Sequence, residues 1–99
     1  MTAYSYNFSQ RVVSDFLKRR TRGWSFLQKQ FPTLTERRIV WIFAHDQKRW
    51  YAFKRTLKLV DRLSASPYYS DSDVIKNLFS QQQYFANRAE LEYDRKRRL

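Results

Sequence analysis

The apolar residues of this 99-residue chain recur three and four positions apart along most of its length, the spacing of helices that each bury one face. Phe8, Val12, Val13, Phe16 and Leu17 follow it first. Asn7 ahead of them, with Gln10 three residues on, reads as an N-cap and its reciprocal partner. The single glycine, Gly23, is placed to end this helix in a left-handed cap. Trp24, Leu27 and Phe31 make a short second segment that stops before Pro32.

Thr33 and Glu36 repeat the capping-box signal, and the pattern after them runs long. Ile39, Phe43, Trp50, Phe53, Leu57 and Val60 alternate by fours and threes once Asp46 is counted among them, the a/d seam of coiled-coil-like packing. This predicts one helix over 34–64, roughly 45 Å long at 1.5 Å per residue, with His45–Arg49 as the place where it would divide. Ser66-Pro67-Tyr68-Tyr69-Ser70 reads as a loop. Ser70 or Ser72 caps the last helix, with Asp71 and Asp73 at its positive end. Ile75, Leu78, Phe79, Ala86, Ala89 and Tyr93 form its apolar stripe, and Arg88–Glu92, Glu92–Lys96 and Asp94–Arg98 are i,i+4 ion pairs.

One glycine, two prolines and no hairpin dipeptide leave strands without turns. The expectation is an all-α single domain over residues 1–99, a small helical bundle of three main helices plus a short connecting helix. Such a chain has enough apolar mass, 42% of residues, for one modest core.

Charge narrows the class of partner. Twenty Lys and Arg against nine Asp and Glu leave a net charge of +11, and a small domain so charged repels itself unless an anionic partner neutralises it. The charge is uneven. Residues 1–63 hold fourteen basic and four acidic side chains, a net of +10; residues 64–94 hold two and five, a net of −3; Arg95, Lys96, Arg97 and Arg98 then add +4. Aromatic residues make up 18% of the chain, and rings among cations suit stacked bases along a phosphate backbone.

On a helical wheel at about 100° per residue, Arg37, Lys48, Arg55 and Arg62 fall within about 40° of one another, opposite the seam. Lys58 and Tyr51 flank them on one side and Trp41 on the other. This basic stripe with interleaved rings is the first candidate nucleic-acid-binding surface. The second is Lys18-Arg19-Arg20-Thr21-Arg22, the densest run of cations. It sits where the first helix should end, and four charges exceed what that negative end requires. The Arg95–Arg98 tail follows the same logic.

Catalytic chemistry has little to stand on. With no cysteine and His45 the sole histidine, neither a thiol nucleophile nor a transition-metal site is expected. No glycine-rich phosphate loop or nucleophile elbow is present, so neither enzymatic activity nor a cofactor is expected. No apolar run approaches the ~20 residues of a transmembrane helix.

The first reading is therefore a non-enzymatic, nucleic-acid backbone-binding small subunit of a larger ribonucleoprotein, held by other protein subunits. RNA is favoured over duplex DNA because no helix-turn-helix recognition signal stands out. Ribosomal accessory proteins and small helical subunits of CRISPR effectors share this size, charge and helix content. The alternatives are a phage or plasmid DNA-binding regulator, which the long Trp24–Glu36 stretch fits poorly, and a structural accessory subunit of a protein or membrane assembly. A cytoplasmic location is expected. The acid-poor N-terminus, with Asp15 the sole acid before Pro32, keeps a mitochondrial one as the alternative.

Overall fold

Ser5, not Asn7, starts the first helix. A computed structural model of the chain describes residues 4–80, and in it the Ser5 hydroxyl accepts a hydrogen bond from the Phe8 N–H at 3.2 Å. That satisfies one of the donors every helix leaves unpaired at its start. Helix α1 spans Tyr6–Lys18, α2 Thr21–Gln30, α3 Glu36–His45, α4 Gln47–Ala65 and α5 Asp71–Ser80. The described residues thus form an all-α domain of five helices without a strand. This replaces the expected three main helices and a connector. The later stripe positions Ala86, Ala89 and Tyr93, the three i,i+4 pairs and the basic tail lie outside the described residues.

The added helix comes from a break at Asp46. Its backbone is non-helical (φ −142°, ψ 87°), so it ends α3 and begins α4 at once. Its carboxylate accepts from the Arg49 N–H at 3.1 Å and pairs with the Arg49 guanidinium at 3.5 Å. An aspartate at a seam position can do this because capping the second helix stabilises more than burying a charge would. The continuous helix over 34–64 is therefore two. The cap before α3 also moves by two residues: Thr35, not Thr33, accepts from the Arg38 N–H at 3.2 Å.

Gly23 is no C-cap. The first turn closes at Arg19 and Arg20, where the Arg20 N–H meets the Leu17 carbonyl at 3.0 Å, and Gly23 sits buried within α2 with φ negative. Its role is close approach. A methyl group at its Cα would stand 2.8 Å from the Asp61 Cα of α4. The missing side chain lets α2 lie on α4, and the Gly23 N–H donates to Asp61 Oδ1 at 2.8 Å.

Ser70 caps α5, as one of the two expected alternatives has it. Its hydroxyl accepts from the Asp73 N–H at 3.2 Å, while the Asp73 carboxylate accepts from the Ser70 N–H at 3.1 Å, a reciprocal capping box. The Ser70 N–H, and then its hydroxyl, hold the Asp73 carboxyl below the usual carboxylate range.

The core matches the expected stripes in part: Phe8 is exposed, and Val12, Phe16, Trp24 and Phe43 are half-buried. Val13 and Leu17, Leu27 and Phe31, Ile39, then Trp50, Phe53, Leu57 and Val60, and finally Ile75 and Leu78 are all buried. α1 packs on α3, and α2 and α5 pack on α4. An aromatic chain ties the first four helices together. Tyr4 stacks on Phe43 with ring centres 5.2 Å apart, Phe43 meets Trp50 edge-on at 5.1 Å, Trp50 meets Phe16 at 5.4 Å and Phe53 at 5.9 Å, and Phe53 meets Trp24 at 6.0 Å. Edge-to-face and offset pairs of this kind add about 0.5–1.5 kcal/mol each beyond area burial. Much of the aromatic content thus serves cohesion. Within the described residues no helix is long and apolar enough to cross a membrane.

Candidate nucleic-acid interface

α4 buries Trp50, Ala52, Phe53, Thr56, Leu57, Val60 and Leu63, so the remaining face must meet solvent. On that face Lys48, Tyr51, Arg55, Lys58 and Arg62 follow one another at alternating steps of three and four, and all five are exposed. They make a ridge about 21 Å long at 1.5 Å per residue. Tyr51 is 56% exposed. The Lys54 ammonium, which the wheel left outside the stripe, lies 5.4 Å from the Tyr51 ring and 5.9 Å from the Trp50 ring, within range of a cation–π attraction.

The α1–α2 corner approaches this ridge. Lys18, Arg19 and Arg22 are exposed and Arg20 is half-buried. The Arg20 guanidinium lies 4.5 Å from the Phe16 ring, and Lys54 lies 6.0 Å from the same ring. One phenyl group of α1 thus meets a cation of the corner and a cation of α4. Further along, the Gly23–Asp61 contact brings the backbone beside Arg22 against the backbone beside Arg62. Two basic segments far apart in sequence become neighbours through a glycine and a phenylalanine.

Helix electrostatics explain only part of this charge. Lys18 in the last turn of α1 complements the negative end of that helix. Arg22 and Lys48 do the opposite. They occupy the first turns of α2 and α4, where a cation opposes the positive helix end by about 0.3–1 kcal/mol; at α4 the Asp46 carboxylate that caps the helix offsets this. For α2 the compensation comes from across the fold, because Asp61 accepts the Gly23 N–H that a local cap would otherwise take.

Arg37 and Trp41 belong elsewhere. The non-helical backbone at Asp46 ends the common helical phase, so the wheel does not carry them onto the α4 ridge. Both are exposed on α3, where they line a depression of about 230 Å³ with Tyr4, Tyr6 and His45. Trp41 is 56% exposed and leans on His45, ring centres 4.8 Å apart. Tyr4 and Tyr6 precede or open α1 and carry no local signal of this role. Only the docking of α1 on α3 brings them to Trp41.

No protein-family model, characterised protein or solved structure matches this chain. The functional reading therefore rests on the surface just described.

Proposed function

We propose that this chain is a non-enzymatic small subunit that grips a nucleic-acid backbone, RNA in preference to duplex DNA, within a larger ribonucleoprotein. The observation that carries the reading is the α4 ridge: four cations and a tyrosine, all exposed, along one face of a helix whose other face is core. A stiff helix presents them at fixed spacing, so little ordering entropy opposes contact with successive phosphates. The α1–α2 corner extends the same positive surface. Arg22 supports the reading further, since it opposes the positive end of its own helix and an external anion would account for it.

The test is fluorescence anisotropy with single-stranded RNA, duplex RNA and duplex DNA over roughly 50–300 mM salt, the range in which phosphate contacts show themselves. Four to six contacts give a log–log slope near −0.7 each on single strands and −0.9 each on B-form DNA. Tight RNA binding with such a slope is expected. A flat salt response, or no binding at the lowest salt, would sink the reading and leave an accessory subunit held by protein surfaces.

A further inference from the structure

The depression beside Trp41 has a shape and a charge of its own. Three of its walls are aromatic: Tyr4, Tyr6 and the Trp41–His45 pair, over a floor that includes Val40 and Ala44. The Tyr4 wall is fixed from two sides, by stacking on Phe43 and by the Gln47 amide, which donates to the Tyr4 hydroxyl at 3.4 Å. Trp41 is braced by His45 and still keeps more than half its surface in solvent. Arg37 lies one helical turn before Trp41, on the same side of α3, and completes the rim.

These features select an occupant. The volume is below the roughly 300–1,000 Å³ of pockets for drug-sized ligands, so it suits one planar ring system. The Arg37 guanidinium on the rim would repel an ammonium ligand, which argues against an aromatic cage for cations. A ring attached to an anion satisfies both walls and rim: a base stacked on indole, its phosphate on Arg37. Bases inside a duplex have both faces covered, so the base must be unpaired.

Resting on the backbone-binding reading above, we propose that the Tyr4–Tyr6–Trp41–Arg37 depression captures one unpaired base of a single strand together with its phosphate. The backbone contacts of α4 ignore sequence and pairing. This site distinguishes a single strand from a duplex.

The experiment compares a short oligouridylate, its DNA counterpart, an abasic strand of equal charge and a duplex RNA, using the wild-type protein, Trp41→Ala, Trp41→Phe and Arg37→Gln. Trp41 is the exposed tryptophan, while Trp50 is 6% exposed and Trp24 half-buried. Base-bearing single strands should therefore quench the long-wavelength edge of the emission and the abasic strand should not. Trp41→Ala should weaken base-bearing strands about 5- to 150-fold, the range for one stacked base, while leaving abasic binding and the salt slope unchanged. Trp41→Phe should restore part of the loss. Arg37→Gln should lower the slope by about 0.7, one phosphate on a single strand. Equal quenching and affinity for RNA and DNA single strands would support the site as a base reader indifferent to the sugar.

Equal affinity for abasic and base-bearing strands, unmoved by Trp41→Ala, would overturn the pocket and leave the backbone reading standing. Absence of binding to every strand would overturn both. Conversion of a dimer to a monomer by Trp41→Ala, read by sedimentation, would assign the depression to a second copy of the chain and overturn the base site.

Discussion

At Gly23 the fold has no room for one added carbon atom. In an exposed helix interior, glycine to alanine gains about 1 kcal/mol of helix propensity. Here the added methyl would stand 2.8 Å from backbone atoms of Asp61, which cannot yield as the end of a flexible side chain can. It would also push Asp61 away from the N–H that it caps. Overpacking of this kind costs about 1–3 kcal/mol, and the lost Asp61 cap costs about as much as the propensity gain returns. Gly23→Ala should therefore lower the melting temperature by roughly 5–20 °C, at 4–8 °C per kcal/mol for a domain of this size. Thermal unfolding followed by circular dichroism measures it. A melting temperature equal to or above wild type would show that α2 does not rest on α4 through this contact.

At the scale of elements, the decisive event is the division of the seam at Asp46. A continuous helix would keep every i→i−4 bond but leave a carboxylate on the core side. Dividing it converts that liability into an N-cap. The break also sets Phe43 and Trp50 edge-on at 5.1 Å, a contact between the two new helices. Asp46→Ala should cost about 0.5–2 kcal/mol, the usual value of a lost cap, and Asp46→Asn little. Urea denaturation of the pair tests this. Equal midpoints for Asp46→Ala and wild type would mean that packing alone holds the break.

The whole molecule sets its positive surface against its own stability. Arg22 and Lys48 lie at the positive ends of α2 and α4, and both are exposed. Replacing Arg22 with glutamate turns a repulsion into an attraction at the start of α2, about 0.3–1 kcal/mol; at Lys48 the gain is smaller, because the Asp46 carboxylate already caps α4. Arg22→Glu with Lys48→Glu should thus hold or slightly raise the melting temperature. The same variant should bind single-stranded RNA about 10-fold or more weakly, with a salt slope shallower by about 1.4, two contacts at 0.7 each. A lower melting temperature with unchanged RNA affinity would identify the two cations as structural.

Much of this protein was legible before its structure. Apolar spacing reveals α1, the α4 core face and the start of α5, because an amphipathic helix writes its buried side into the order of its residues. It also reveals the run Lys48, Tyr51, Arg55, Lys58 and Arg62, since positions opposite a buried stripe on one helix share a face whatever the helix packs against. What spacing cannot express is a relation between segments. A glycine reads as a helix end until another backbone lies against it. An aspartate in a seam reads as an interruption until its carboxylate is seen to cap. Arg37 and Trp41 align with Lys48 on paper only while the helix is continuous, and the helix break at Asp46 leaves them beside Tyr4 and Tyr6 instead. The sequence alone determined which faces are apolar and which are charged. The tertiary structure decided which of those faces meet, because contacts between distant residues depend on where the chain turns, and the turns here are held by a few local capping contacts rather than by a periodic pattern.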